Sequence, residues 1–175
     1  MKNGNGFQRF GIITRYVSPL GGLTLASDGE ALTGVWFDGQ KHFPEFPPET
    51  RLEIQLPVFE QTKRWLDLYF SGTAPDFTPP LRPCGTPFQE TVWECLRAVP
   101  YGHTITYGEL ASRTAERLGR ERMSARAVGN AVGRNPVALL IPCHRVIGAG
   151  GKLTGYAAGL ESKARLLSLE RAAHS

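Results

Sequence analysis

Cys143 and His144 are adjacent in the chain and form the pair of residues best suited to covalent chemistry. A cysteine attacks as its thiolate, and a free thiol has a pKa of about 8.5, so a reactive cysteine needs a base, a cation or a helix dipole nearby. Because adjacent side chains diverge, a direct bond between the two is awkward, and a bridging water is the better carrier of the proton.

A carboxylate behind the histidine would complete such a pair, because it fixes the tautomer of the ring and stabilises the imidazolium. The predicted final helix contains Glu161 and Glu170, and their spacing does not choose between them. The residues alone therefore leave two interpretations open, since a lone Cys-His pair in an intracellular protein is more often part of the packing than a catalytic pair. Pro142, just before the pair, indicates only extended backbone.

The other cysteines indicate neither a disulfide framework nor a metal site. Cys84 and Cys95 are far from Cys143 in sequence, and no CxxC or Cys/His cluster has zinc spacing. Cys95 is expected to be a small buried hydrophobe beside an apolar helix face, and Cys84 in the proline-rich segment is expected to be incidental. We therefore expect reduced thiols and no metal.

The bulk composition fits a folded chain with a cytoplasmic location. The 175 residues are 41% hydrophobic, enough for one domain or two small ones. The N-terminal residues are polar, and no apolar run has the length of a signal peptide or a membrane span. The net charge of +4 is compatible with a polyanionic partner without demanding one.

The first third of the chain is predicted to be a small α+β unit. Strand-forming residues at 23–25 and 32–37 flank an Asp28-Gly29 turn, a pattern typical of a β-hairpin. From about Pro57 to Phe70 apolar residues recur at helical spacing, and Gly72 supplies the stop.

The proline-rich segment 73–87 follows and contains five prolines, which continue neither a helix nor a central strand. We place the domain boundary there, with one domain at 1–83 and the other at 84–175. Thr86 and Gln89 then form a capping-box pattern, and apolar spacing predicts a helix over 87–98.

The next elements form a helix-turn-helix candidate. A short strand around 103–106 precedes a predicted helix at 107–113, a polar connector and a second helix at 124–133. Two such helices more often pack inside a core than bind DNA. The second helix favours DNA, because small residues leave its backbone nearly bare around Arg126 and would let the arginine enter a base stack. These small residues are Ala125, Ala127, Gly129, Ala131 and Gly133.

Ordered motifs along almost the whole chain are similar to those of a known family. They include Gly85-Thr86-Pro87-Phe88-Gln89, Thr106-Tyr107-Gly108-Glu109-Leu110-Ala111, Arg126-Ala127-Val128-Gly129, Asn135-Pro136, Pro142-Cys143-His144-Arg145-Val146 and Gly155-Tyr156. In this order the motifs resemble those of the O6-alkylguanine-DNA alkyltransferases, also called methylated-DNA–protein-cysteine methyltransferases.

The resemblance implies an α+β fold with an N-terminal RNase H-like small sheet domain and a C-terminal winged-helix (helix-turn-helix) alkyltransferase domain. It implies a monomer that binds the minor groove of double-stranded DNA containing O6-alkylguanine. The damaged nucleotide would be flipped out, because a stacked base cannot offer its alkyl group in line to a thiolate, and Arg126 would fill the vacated space. The residues implied at the DNA are Ser124, Ala125, Arg126, Ala127, Gly129 and Asn130.

The resemblance also assigns the chemistry. Cys143 becomes the acceptor of a methyl or other alkyl group from guanine O6, with thymine O4 as a second candidate source, His144 the water-mediated base and Glu170 the carboxylate that holds it. Tyr107 would donate a hydrogen bond to the flipped guanine, and Asn135 would brace the turn that presents the cysteine. No cofactor or metal is implied, and each molecule acts once because a thioether does not release the alkyl group. The base pocket would be lined by Val132, Val146, Tyr156 and Ala157.

Three features depart from the family pattern. Ala157 stands where many relatives carry serine, so a side-chain hydroxyl contact to the base is missing. Asn130 is larger than the residue that some members have there. The segment 113–122 is longer than in short members and contains four arginines; we expect a solvated loop there rather than phosphate contacts.

Two other functions compete with DNA alkyl transfer. A non-catalytic alkylated-base recognition protein would share the fold, but such proteins carry another residue, usually tryptophan, at the acceptor position, and Cys143 argues against this alternative. A cysteine hydrolase could use a Cys-His-Glu set, but it needs an oxyanion hole and turnover, for which the sequence gives no sign.

Overall fold

The computed structural model describes residues 11–52 and 55–173 and divides into two compact units on either side of the Cys84–Gly85 bond. Each unit contains its own buried apolar residues. Within the described ranges no helix has the length and apolar character needed to cross a membrane.

The N-terminal unit is a four-stranded sheet with one helix. The sheet has the order β3-β2-β1-β4, in which β1, β2 and β3 pair antiparallel and β4 joins β1 in parallel. The predicted hairpin is confirmed as β2 and β3. β1 lacks a clean apolar–polar alternation, because Val17 is exposed and Thr14 is buried, and the pattern therefore does not predict it. The strands are β1 (Ile12–Ser18), β2 (Gly21–Ser27), β3 (Leu32–Phe37) and β4 (Arg51–Leu52).

The turn between β2 and β3 follows from its residues. The side-chain oxygen Oδ1 of Asp28 accepts hydrogen bonds from the backbone N–H groups of Glu30 and Ala31 at 3.0 and 2.9 Å. Gly29 has a φ of +110°, which favours glycine. The aspartate and the glycine together close the loop that the sequence predicts.

Helix α1 (Pro57–Phe70) is confirmed at its predicted bounds. It begins with proline at its first position, and Gly72 follows its end with a φ of +84°. The helix contacts β1, β2 and β3. Its buried residues recur every three or four positions, as in an amphipathic helix, and are Val58, Phe59, Thr62, Trp65, Leu66 and Tyr69.

Part of the proline-rich segment belongs to the sheet of this unit. The N–H of Leu32 donates to the carbonyl of Pro80 at 2.7 Å, and the N–H of Arg82 donates to the carbonyl of Leu32 at 2.8 Å. The resulting parallel bridge between Leu81 and Leu32 pairs the outer edge of β3 at its first residue.

The C-terminal unit begins with helix α2 (Pro87–Arg97), whose predicted capping box is confirmed. The hydroxyl of Thr86 accepts from the N–H of Gln89 at 3.2 Å, and the side chain of Gln89 accepts from the N–H of Thr86 at 2.9 Å. Cys95 is 5% exposed on the apolar face, as expected. The indole N–H of Trp93 donates to the carbonyl of Ala131 at 2.9 Å and ties α2 to a later helix.

Helix α3 (Tyr107–Arg117) runs beyond the predicted end at residue 113. Thr114 and Ala115 are buried on the same face as Leu110, and the hydroxyl of Thr114 donates to the carbonyl of Leu110 at 2.8 Å. The expectation of a solvated loop over 113–122 is therefore wrong for the first half of that segment, because these residues continue the apolar face of the helix.

Helix α4 (Ala125–Gly133) is the predicted second helix of the helix-turn-helix. The hydroxyl of its N-cap residue Ser124 accepts from the N–H of Ala127 at 3.3 Å. The interpretation of Ala131 as part of a bare approach surface is wrong. It is 2% exposed and lies on the buried side of the helix with Val128 and Val132.

Short elements complete the C-terminal unit. Strands β5 (Ile105–Thr106) and β6 (Val146–Ile147) pair in parallel, a single 3-10 turn at Cys143–Arg145 precedes β6, and helix α5 (Leu160–Ala172) ends the described chain. The fold is thus α+β, as predicted, with a small sheet unit followed by a helix-turn-helix unit.

Candidate functional site

Asn135 organises the buried turn that leads to Cys143. Its Nδ2 donates to the carbonyl of Ile141 at 2.7 Å, and its Oδ1 accepts from the N–H of Val137 at 2.9 Å. Leu139 inside the turn has a φ of +71°, a left-handed conformation that persists in a leucine only where the surroundings hold it. All residues from 135 to 142 are buried, so the backbone before the cysteine is tightly held.

The 3-10 turn gives three consecutive side chains different surroundings. The N–H of Cys143 donates to the carbonyl of Ile141 at 2.8 Å, and the N–H of Arg145 donates to the carbonyl of Pro142 at 3.0 Å. Cys143 remains partly exposed, whereas His144 and Arg145 are buried. The sequence indicates only extended backbone at Pro142 and gives no sign of this turn.

His144 and Glu170 form a fully buried pair. Nε2 of His144 lies 2.5 Å from Oε1 of Glu170, and their side chains are 0% and 1% exposed. Burial lowers the pKa of His144, against the opposing effect of the Glu170 carboxylate. Burial alone would raise the pKa of Glu170, but hydrogen bonds and charges from His144 and Arg145 bring it down to about 2. Of the two glutamates that sequence spacing leaves open, the structure places Glu170 against the histidine, and Glu161 is exposed.

Arg145 is a further charged member of this cluster, and the sequence assigns it no role. Its Nε donates to Oε2 of Glu170 at 2.9 Å and its Nη2 to Oε1 at 3.1 Å, a two-point contact with the carboxylate. Nη1 donates to the carbonyl of Val99 at 2.7 Å, and the N–H of Gly102 donates to Oε2 of Glu170 at 3.1 Å. The carboxylate of Glu170 is therefore a hydrogen-bond partner of both His144 and Arg145.

The Cys143 thiol is held in its protonated form by burial, which raises its pKa above the ordinary value. Several groups act in the opposite direction: a hydrogen bond from Asn135, the charge of Lys163, and the backbone amides of Cys143 and His144. The site thus offers a protonated thiol surrounded by groups that would stabilise its thiolate.

Lys163 is a second buried cation near the cysteine. It is 0% exposed, and its Nζ donates to the carbonyls of Thr154 and Gly155 at 2.8 and 3.1 Å. Burial lowers its pKa, and the neighbouring Cys143 raises it again. The lysine holds the loop that carries Tyr156, and its residue type gives no sign that it is buried.

Two tyrosines border the cysteine. The hydroxyl of Tyr107 donates to the carbonyl of Thr154 at 3.3 Å, and burial together with the nearby Cys143 raises its pKa. Burial raises the pKa of Tyr156 well above its ordinary value, with Cys143 as the next cause. The ring of Tyr156 meets that of His144 edge to face, with the centroids 6.5 Å apart. Both predicted tyrosines thus lie at the site.

The remaining pocket residues lie at different depths. Val146 in β6 is fully buried, Val132 on α4 is 6% exposed, and Ala157 is partly exposed directly after Tyr156. Ala157 brings no hydroxyl to this loop.

The residues predicted to contact DNA share the accessible side of helix α4. Arg126 and its neighbours at the start of the helix are exposed or partly exposed, whereas the residues at 128, 131 and 132 are buried on the opposite side. The residues on the accessible side are Ser124, Ala125, Arg126, Ala127, Gly129 and Asn130.

These features define a class: a helix-turn-helix protein in which a cysteine, a histidine and a glutamate follow one another from the surface into the core. Residues 87–172 match the model of the 6-O-methylguanine DNA methyltransferase DNA binding domain, and residues 12–83 match the model of the ribonuclease-like domain of the same family. The chain belongs to the 6-O-methylguanine DNA methyltransferase family, and the resemblance seen in its sequence is confirmed.

Relatives of the chain carry a consistent name. A methylated-DNA–protein-cysteine methyltransferase of Haemophilus influenzae is 42% identical over 90% of this chain and 85% of its own length. One of Methanosarcina acetivorans is 46% identical over 89% of this chain and 95% of its own length.

Solved structures agree with the fold. The crystal structure of Mycobacterium tuberculosis O6-methylguanine methyltransferase has a TM-score of 0.77 at 40% identity, and covers 91% of this chain and 92% of its own. The structure of Mycobacterium tuberculosis OGT in complex with DNA has a TM-score of 0.75 at 40% identity, with coverage of 93% and 94%.

Proposed function

We propose that this chain repairs alkylated DNA by accepting a methyl or other alkyl group from guanine O6 on Cys143. The observation that carries the proposal is the buried His144–Glu170 pair directly behind a partly exposed cysteine in a helix-turn-helix unit. The names of the relatives and the DNA complex of the Mycobacterium tuberculosis protein support the substrate class.

The proton of the thiol has a defined destination in this proposal. Burial keeps Cys143 protonated and His144 neutral, so the imidazole is able to take the proton. Glu170 occupies Nε2 of the ring, which directs proton uptake to Nδ1 through a bridging water. The carboxylate then stabilises the imidazolium that forms.

The transfer is a single displacement. The sulfur of Cys143 forms a bond to the alkyl carbon while the bond from that carbon to guanine O6 breaks, and the electron pair stays with guanine. A proton passes from His144 through water to the guanine, so the products are a thioether, a neutral guanine and a neutral imidazole. The hydroxyl of Tyr107, now on the carbonyl of Thr154 at 3.3 Å, would turn to the leaving base and stabilise its developing charge.

DNA would be bound through α4. The accessible start of this helix carries Arg126 among small residues, and such a surface suits close approach to the minor groove. Arg126 would enter the base stack when the damaged nucleotide leaves it for the cysteine. All of these groups lie between residues 107 and 170, so one copy of the chain suffices for the reaction.

Mass spectrometry of the intact protein tests the proposal. The chain is incubated with duplex DNA that contains O6-methylguanine, and the protein and its Cys143 peptide are weighed. We expect the mass of one methylene group to be added at Cys143, with one methyl group removed from DNA per protein molecule and no turnover. A parallel duplex with O4-methylthymine tests the second candidate source.

Two cysteine variants separate the possible outcomes. Cys143→Ala should bind the duplex without gaining mass, and Cys84→Ala, which changes an exposed cysteine, should behave as the parent chain. Binding without any gain of mass by the parent chain would identify a non-catalytic recognition protein. Turnover of an acyl substrate at Cys143 would instead favour a hydrolase.

A further inference from the structure

Arg145 is a buried arginine that the displacement itself does not use. It is 7% exposed, and its guanidinium lies 5.7 Å from the ring centre of Tyr101. Each of its three side-chain nitrogens donates one hydrogen bond: two go to the carboxylate of Glu170 and one goes to the carbonyl of Val99. Burying a charged guanidinium costs free energy, and the contacts with Glu170 and Val99 must offset that cost.

The titratable and charged groups that face one another here come from two elements. The 3-10 turn supplies Cys143, His144 and Arg145, and α5 supplies Glu170 and Lys163. The tyrosines that border the cluster are Tyr101, Tyr107 and Tyr156.

Glu170 on its own would favour a protonated histidine, because a buried carboxylate 2.5 Å from an imidazole stabilises the imidazolium. An imidazole that already carries its second proton cannot accept one from a thiol. Burial opposes this protonation, and a counter-charge on the carboxylate acts in the same direction as burial.

We propose that Arg145 is a positioning residue that acts through Glu170: it binds both carboxylate oxygens, directs one of them to His144, and offsets their charge so that the histidine remains a base. This inference rests on the proposed function of Cys143. Together, the side chains of Cys143, His144, Glu170 and Arg145 then have no net charge before the proton moves. The net charge is still zero when the thiolate and the imidazolium have formed. The charge of Arg145 also contributes to the lowered pKa of His144, after burial and against Glu170.

The test is the pH dependence of Cys143 alkylation by iodoacetamide in the full chain, followed in the Cys143 peptide by mass spectrometry. This reagent needs no DNA. In Arg145→Gln the loss of a positive charge raises the proton affinity of the coupled cysteine and histidine, so the acid limb of the profile moves to higher pH by about one unit. The rate on that limb falls about tenfold and recovers as the pH rises.

Two further variants separate charge from shape and from folding. Arg145→Lys keeps the charge without the two-point contact, so its acid limb stays at the parent position while the rate falls. Arg165→Gln changes an exposed arginine of the same helix as Glu170 and should leave the profile unchanged. An Arg145→Gln profile that coincides with the parent, with only the melting temperature lowered, would show that Arg145 acts on folding alone.

A measurement on the parent chain decides the matter if Arg145→Gln does not fold. The nitrogen-15 shifts of the His144 ring distinguish imidazole from imidazolium, and the inference requires neutral imidazole at neutral pH. An imidazolium there would overturn it. Failure of methyl transfer from O6-methylguanine DNA, with the alkylation profiles as expected, would instead contradict the proposed function and leave the role of Arg145 in place.

Discussion

At the residue scale, the site contains buried charged groups that are paired with one another. Glu170 shows the effect most clearly, because burial alone would raise its pKa and its two partners bring it to about 2. Cys143 shows the reverse balance, since the groups that stabilise its thiolate do not overcome burial in the resting state. The cysteine is therefore stored as a thiol, and its reactivity depends on the base behind it.

Lys163 should lower the barrier to thiolate formation through its charge. In Lys163→Met we expect the pKa of the Cys143 thiol to rise, because one of the groups that lower it is removed, and alkylation by iodoacetamide at neutral pH to slow about threefold to tenfold. Peptide mass spectrometry measures the rate. Lys152→Met, which changes an exposed lysine, is the matched control. Equal rates in both variants would contradict an electrostatic role for Lys163.

Asn135 should matter for stability as well as for the position of the cysteine. Asn135→Ala removes two buried hydrogen bonds of the turn and leaves the carbonyl of Ile141 and the N–H of Val137 without these partners. We expect the free energy of unfolding to fall by about 2–3 kcal/mol in urea titrations. The exposed Asn130→Ala should change it by less than about 0.5 kcal/mol. A similar small change in both would show that the turn is held without Asn135.

Some residues of the site are predictable from sequence and others are not. Cys143 and His144 stand out by type and adjacency, and the family pattern points to Glu170. Arg145 and Lys163 are not predictable as site residues, because charged residues are mostly exposed. Only the tertiary structure shows that these two are buried. A sequence pattern records spacing along the chain, and the pairing of 145 with 170 is a contact between distant segments.

At the element scale, α4 combines a buried and an accessible side within a single short helix. Val128 and Val132 anchor it in the unit, while Arg126 stays exposed near its N-terminus. The helix begins at a serine cap and so presents its first turn in a fixed direction. A rigid start of the helix is what a side chain that enters a base stack requires.

Arg126→Ala should separate DNA binding and flipping from the chemistry. We expect the magnitude of the slope of log affinity against log salt to fall by about 1, because the variant brings one positive charge fewer to the DNA. Methyl transfer from duplex DNA should slow more than binding weakens, while reaction with free O6-benzylguanine base, which needs no flipping, stays at the parent rate. Arg165→Ala should match the parent in all three assays. A parallel loss with the free base would place Arg126 in folding or chemistry instead.

The elements differ in how far local signals predict them. The β2–β3 turn, α1, α2 and α4 carry their own caps, glycines or prolines, and these signals give their bounds closely. The second half of α3 has polar residues on its exposed side, and only the burial of Thr114 and Ala115 shows that the helix continues. β4 is two residues long, and its existence depends on pairing with β1 rather than on its own sequence.

At the scale of the whole molecule, the two units differ in the titratable groups that they bury. The C-terminal unit encloses His144 in neutral form, since burial lowers its pKa. Among the described carboxylates of the N-terminal unit, Asp28 has a lowered pKa: burial would raise it, but hydrogen bonds from the turn and from Arg82 lower it. Acid should therefore affect the two units over different pH ranges.

We expect the C-terminal unit to lose stability first as the pH falls from neutral. His144 takes up a proton in the unfolded chain near pH 6.5 but only at lower pH in the folded chain. Its contribution to stability is thus present above that pH and declines below it by about 1.4 kcal/mol per pH unit until the folded-state pKa is reached. Glu170 adds a second loss below its ordinary pKa near 4.5, which continues towards pH 2.

Urea unfolding at pH 7 and pH 5, read peptide by peptide through pulsed hydrogen exchange, measures the two units separately. The midpoint for peptides of α5 should fall on acidification. The midpoint for peptides of β2 and β3 should change less, because the pKa of Asp28 in their unit is lowered from an ordinary value of 3.8 that already lies below this pH range. His144→Gln removes the titrating group, so the α5 midpoint should lose most of its dependence between these two pH values. A parent chain whose α5 midpoint stays constant from pH 7 to pH 5 would show that His144 is not held neutral in the fold, and with it the base in the proposed transfer would be lost.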